Sequence, residues 1–278
     1  MLAILGGIGA ALAWTATTLA ASRATRHVDS RSLLATVMTV GLVISIPPAL
    51  LAHTPTIHTS DALWLVVAGC ANVGGLLLTY SALRVGKVGV VAPITSTEGA
   101  IAAVIAVIAG QHLSTGTVGC LVVITGGIVL AARAPGGDRA VHARSVVLAG
   151  LAAFAFGLGL YSGGRVGQSL GIAWALLPAR VVGVVVIALP LLVSRRWRMT
   201  RKAMPFAVVG GVCEVLGFAA YVFGARHNLA IAAVLGSQFA GLSVVVGWLL
   251  FRERLTRVQV AGVVGIIVGV SALSAIHS

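Results

Sequence analysis

Charge is what this sequence has least of. Only 9% of its 278 residues are charged and six are acidic, where a soluble globular domain carries roughly 25% charged residues. A water-facing globular surface is therefore excluded. Cysteine is scarce too: Cys70, Cys120 and Cys213 lie inside apolar runs at spacings that match no metal or redox motif, so packing is their expected role. Aromatic residues make up 5%, which argues against a large aromatic cage for a drug. Phosphate-binding glycine loops of the Walker type, HExxH and GxSxG are all missing. The seven histidines sit mostly in connections and at the ends. With no clustered nucleophile and base and no metal-ligand set, neither an enzyme, a cofactor nor a metal site is expected.

What the chain has in abundance is apolar length. Hydrophobic residues make up 59% and the mean hydropathy is +1.07. A hydrocarbon core about 30 Å thick needs about 20 apolar residues per helix. Ten such stretches lie near 2–22, 32–52, 62–83, 88–109, 115–132, 145–163, 170–193, 203–224, 228–250 and 257–275. Barrel strands would be about 10 residues long and alternate in polarity, so the expected fold is an all-α membrane protein with ten transmembrane helices. The first stretch has no basic region before it. Although Ala20-Ala21-Ser22 has the look of a cleavage site, the segment belongs to the repeat described next, and it is read as a retained helix.

Shifted by 142 positions the sequence lies on itself without a gap: Arg23 meets Arg165, Pro48 meets Pro190, Arg84 meets Arg226 and Gly127 meets Gly269. Gly41 with Gly183, Gly69 with Gly211, Gly75 with Gly217, Gly99 with Gly241 and Leu113 with Leu255 keep the same register. The chain divides into a first five-helix repeat over 1–137 and a second over 138–278. An odd number of helices places the second copy upside down relative to the first, and inverted repeats suit a carrier whose halves rock around a site near the membrane midplane.

The cations sort with this topology. Connections after the odd-numbered stretches hold 16 Lys and Arg, those after the even-numbered ones hold Arg165 and Arg226, and Arg180 lies within a stretch. Positive-inside bias makes the odd connections cytoplasmic and puts both termini outside. The net charge of +13 is then accounted for by topology and by anionic lipid headgroups rather than by nucleic acid.

Two turns carry a resemblance. Val91-Ala92-Pro93-Ile94, Ser96-Thr97-Glu98-Gly99-Ala100 and the turn Gly110-Gln111-His112-Leu113-Ser114 resemble the fourth helix and following loop of the drug/metabolite transporter superfamily, EamA branch. In the second copy Phe251-Arg252-Glu253-Arg254-Leu255-Thr256 and Gln259-Val260-Ala261-Gly262 resemble that family's GERL-type turn and last helix, and Ala10-Leu12-Ala13-Trp14 fits its first helix. The resemblance covers nearly the whole chain. It implies two inverted five-helix halves that export or exchange small organic solutes such as amino acids, sugars, nucleotide derivatives or amphipathic drugs. Two departures stand out. Gln111-His112 replaces the usual Glu-Arg, leaving a charge pair only at Glu253 with Arg252 or Arg254. Many members also place both termini in the cytoplasm, against the charge count.

Polar residues inside the bilayer are the candidate site. Asp29, Asp61, Asp138 and Glu253 lie in connections, which leaves Glu98 and Glu214 as the carboxylates within stretches. An ionised carboxylate at the bilayer centre costs about 2.5–3.5 kcal/mol on insertion scales, so each should face a cavity, find a partner or carry a proton. Glu98 follows Thr95-Ser96-Thr97 and Pro93, a residue that frees a backbone carbonyl. It is the candidate for a coupling proton or for a substrate ammonium group. Glu214 matches Asn72 on the register, suggesting one cavity lined by both halves. Arg180 is read three ways: holding a substrate carboxylate, neutralising Glu98 or Glu214 in a structural salt bridge, or snorkelling to the surface. Ser237 and Gln238 match Thr95 and Ser96, a symmetric polar lining or else helix–helix hydrogen bonds. Trp14 and Tyr80 are candidate lining aromatics, with Tyr80 alternatively an interfacial anchor. Gly159, Gly163, Gly167 and Gly171, and Gly265 with Gly269, are expected to be close-packing faces.

The expectation is a secondary transporter of a small organic metabolite or drug-like solute in the plasma membrane, monomeric or homodimeric, working by alternating access. Proton coupling through Glu98 goes with it. A passive pore or lipid scramblase of the same architecture is the alternative. It would call for a continuous polar stripe instead of isolated carboxylates.

Overall fold

In the computed structural model, residues 1–53, 55–86, 88–110, 114–131, 139–243, 246 and 257–276 are described, and among these there is no strand. The elements are α1 (Leu2–Ala24), α2 (Ser30–Leu51), α3 (Thr59–Val85), α4 (Val88–Thr95), α5 (Glu98–Ile108), α6 (Thr115–Ala131) and α7 (Arg139–Ser169). They continue with α8 (Ile172–Gly183), a π-helical turn (Val184–Ala188), α9 (Leu189–Val193), α10 (Met204–Ala225), α11 (Leu229–Gly236) and α12 (Arg257–Ile276). Among the described residues seven spans are long and apolar enough to cross a membrane: 2–24, 30–51, 59–85, 90–108, 143–169, 172–193 and 204–225. Their outward faces carry exposed Leu12, Leu63, Phe154 and Leu216, side chains that suit lipid and not water.

Three of the expected continuous helices are interrupted, each for a local reason. Between α4 and α5 the chain makes a tight turn in which Ser96 N–H donates to Ala92 O and Thr97 N–H to Ile94 O. Pro93, lacking an N–H, has already removed one rung of the ladder there. The second copy breaks at the corresponding place: α11 stops at Gly236, residues 237–238 turn, and helix resumes at 239. In the seventh stretch the N–H of Leu189 donates to Val184 O, five residues back, just before Pro190. A widened turn of this kind accommodates the missing donor of the proline.

Packing pairs exchange under the shift of 142. α1 packs on α10 and α7 on α3, while α2 meets α8 and α6 meets α12. The glycines show the same exchange at atomic scale. A Cβ added to Gly69 would meet Val182, and one added to Gly211 would meet Val40. Likewise Gly75 lies against Phe156 and Gly217 against Trp14. Across α2 and α8, Gly41 faces Arg180 whereas Gly183 faces Met38. Because the higher-numbered residue of one helix meets the lower-numbered residue of the other, these two equivalent helices run in opposite directions, as inverted copies must.

Of the expected glycine faces, Gly159, Gly163 and Gly167 press against Ala71, Phe218 and Val222, and Gly265 against Gly127. Gly171 differs. It has φ +87° at the start of α8 with open space around it, so its place is conformational. On the cationic connection after α9, Trp197 Nε1 donates to Thr36 Oγ1 at 3.1 Å and the Arg198 N–H donates to Ser32 Oγ at 3.2 Å. The expected turns at 111–113 and 251–256, including the pair Glu253 with Arg252 or Arg254, lie outside the described residues.

Candidate functional site

A cavity of about 50 Å³ lies between the halves, walled by α1, α3, α5, α7 and α10 together with Thr95 and Phe239 at the two helix breaks. Its lining repeats the register: Trp14 with Phe156, Thr17 with Gly159, Thr18 with Leu160, Asn72 with Glu214 and Leu76 with Phe218. A wall built from residues and their own equivalents must surround the axis that relates the two copies. Direct contact confirms this, since Asn72 Nδ2 donates to Glu214 Oε1 at 3.3 Å, across a sequence separation of 142.

Arg180 completes a chain of polar groups. Its Nη1 donates to Asn72 Oδ1 at 3.4 Å, and its Nη2 stands 4.0 Å from Glu214 Oε1. The guanidinium also lies over the Phe218 ring, 5.9 Å from its centroid. With 1% of the residue exposed, snorkelling is ruled out. Arg180 is not on the cavity wall but behind Asn72 and Glu214, where it serves as their fixed positive charge. The structural pairing considered for Arg180 thus falls to Glu214 and not to Glu98.

Glu98 is the first residue of α5, 4% exposed, on the cavity wall. No hydrogen bond or ion pair reaches its carboxylate among the described residues. The break at 96–97 brings it to the wall by ending α4 one turn earlier. Tyr80 is 1% exposed and also on the wall, and its hydroxyl and that of Thr79 have no protein partner among the described residues. It is therefore no interfacial anchor. Trp14 lines the cavity as expected, 6.1 Å from Tyr221 and 6.4 Å from Phe239 between ring centroids.

Three expected lining residues, Ser96, Ser237 and Gln238, are absent from the wall. Ser96 donates to Pro93 O, and Gln238 donates through Nε2 to Val234 O. Ser237 likewise donates to Val234 O. The helix breaks explain this. The last carbonyls of α4 and α11 lose their backbone donors inside the membrane, where no bulk water can replace them, and nearby side chains satisfy them instead. Thr95 also bonds backward, to Val91 O and Ala92 O, yet still touches the cavity.

Sequence reasoning missed Thr17, Thr18, Thr79, Phe156, Phe218 and Phe239. The signals for some were present. Thr17 and Thr18 follow Trp14 by three and four residues, one helical face, and Phe156 stands 142 residues after Trp14.

Residues 1–133 match the model of the EamA-like transporter family. No curated protein matches the chain. Among solved structures, one crystal structure, described only as that of a protein, is similar over 99% of this chain and 98% of its own, with a TM-score of 0.78 and 16% identity. At that identity the likeness establishes the fold alone, and it does so for both halves. The chain is a multi-pass membrane protein whose residues 1–133 are similar to the EamA-like transporter family.

Proposed function

We propose that the chain is a secondary transporter that moves a small organic solute by alternating access, with the repeats 1–137 and 138–278 rocking about the cavity between them. One observation carries the reading. A cavity on the axis between equivalent halves holds a carboxylate, Glu98, at a broken helix with no protein partner among the described residues. Broken helices at a repeat interface are where carriers bind solute and coupling ion. Burial of the wall favours a carrier over an open pore, since Glu98 and Glu214 are each 4% exposed and a conducting path would wet them. The protein acts in the plasma membrane with both termini outside, the orientation that the cation distribution favours. Glu98 carries the coupling proton, and Asn72, Glu214, Trp14 and Tyr80 shape the site around it.

The test is counterflow in proteoliposomes against a panel of amino acids, sugars, nucleosides and amines, with an internal pH dye. A carrier gives saturable exchange of at least one solute, and Glu98→Gln abolishes solute-driven proton movement. Retained, pH-independent coupling in that variant would remove Glu98 from the proton path. Free leakage of dye or lipid would replace the carrier with a pore or scramblase.

A further inference from the structure

We propose that the cavity selects a small organic cation, with the Glu98 carboxylate as its counter-charge. This names the solute class for the transport reading above and rests on it. Charge on the wall decides the sign. Two carboxylates face the cavity, Glu98 and Glu214. Glu214 is compensated by Arg180 at 4.0 Å and by the Asn72 amide. Among the described residues the ionisable groups that act on Glu98 supply no cation: Glu214 is itself acidic, and Tyr221 is neutral and donates its hydroxyl to Leu160 O at 2.6 Å. Arg180, with 1% exposed, stands off the wall. One uncompensated negative charge therefore remains.

An isolated buried charge is costly unless it is paired. A proton or a ligand cation can fill that role, and an anion cannot. The rest of the wall agrees, because Trp14, Phe156 and Phe239 present rings to the same space, and aromatic faces attract cations, most strongly when desolvated. A carboxylate ligand would meet Glu98 and Glu214 on a wall that no guanidinium lines among the described residues. Size narrows the class. About 50 Å³, at roughly 10–15 Å³ per water, takes a ligand of only a few heavy atoms, such as a short alkylammonium.

The experiment uses the full chain at constant ionic strength and measures thermal shift in nanodiscs and counterflow in proteoliposomes with ethylammonium, tetramethylammonium, propanol and propionate. Expected is a saturable rise in Tm with ethylammonium, at an affinity at least about tenfold above propionate, falling at least about tenfold in Glu98→Gln and kept in Glu98→Asp. Equal binding of propionate, or cation affinity unchanged in a folded Glu98→Gln, overturns the proposal. If that variant does not fold, the ranking of the four probes on the unaltered chain decides. Exchange of propionate or propanol without ethylammonium sinks the cation site and leaves the transporter standing. Ethylammonium binding lost in Glu98→Gln without any exchange does the reverse, and no response to any probe overturns both.

Discussion

Trp14 and Phe156 occupy equivalent places in the two halves, each pressed on the glycine of the opposite half, and five pairs of equivalents line the cavity. The charged positions behave differently. Glu98 has Ala240 as its equivalent, Arg180 has Met38, and Glu214 has Asn72. Shape is thus duplicated while charge is not: the first half contributes the unpaired carboxylate and the second the compensated one with its cation. On the proposed transport reading duplication supplies the rocking frame, and a symmetric frame with asymmetric charge can hold a solute in one orientation. The comparison can be broken from either side.

The charge side gives the largest effect. Arg180→Met gives the second half the residue of the first and leaves Glu214 buried without its cation, and loss of one partner from a buried pair costs about 3–5 kcal/mol. The double variant Arg180→Met, Glu214→Gln removes both charges and should recover most of that loss, since replacing a whole buried pair is often neutral. Thermal unfolding in detergent checks both. A single variant as stable as the parent would mean that Arg180 does not compensate Glu214.

The shape side gives a smaller and paired effect. A Cβ at position 75 would lie 2.5 Å from Phe156 Cδ1, and one at 217 would lie 2.7 Å from Trp14 Cδ1. Gly75→Ala and Gly217→Ala should each cost about 1–3 kcal/mol through overpacking. Phe156→Leu should relieve the first and Trp14→Leu the second, with no benefit from the crossed combinations. If rescue is indifferent to which aromatic is trimmed, the two contacts are not equivalents of one another.

Much of this was legible in the sequence because equivalence is a one-dimensional property. The register of 142 marks Asn72 and Glu214 as equivalents that line one cavity, and in the structure their side chains also meet. Glu98 stood out by rarity, and the apolar runs placed the spans that the structure bears out. Direction around a helix was harder to read. A serine or glutamine near mid-membrane can turn to a cavity or to its own i−3 or i−4 carbonyl, and the choice depends on whether the helix ladder is intact. Ser96 and Gln238 turned backward because α4 and α11 end beside them. Pro93 hinted at the first break, whereas the second has no proline within α11, so the hint came only through its equivalent.

The smallest effect separates two starts of equivalent helices. Asp29 precedes α2, and its carboxylate accepts from the N–H groups of Arg31 and Ser32, both at 3.0 Å. Gly171, 142 residues on, precedes α8 with φ +87° and no side-chain cap. Asp29→Ala should cost about 1 kcal/mol by losing a cap, and Gly171→Ala about 1–2 kcal/mol by forcing a left-handed backbone on a Cβ. Acid tells the two apart. Burial pushes the Asp29 carboxyl up, but hydrogen bonds from Ser32 and from the backbone of Arg31 outweigh it and hold the group below the usual carboxylate range. A carboxyl lowered by folding stabilises the protein above its unfolded value, and that contribution is lost as pH falls through the folded one. The parent and Gly171→Ala should therefore lose this increment of Tm below about pH 4, whereas Asp29→Asn, which keeps a capping oxygen without a charge, should not. An Asp29→Asn profile parallel to the parent through that window would show that the Asp29 cap works without its charge.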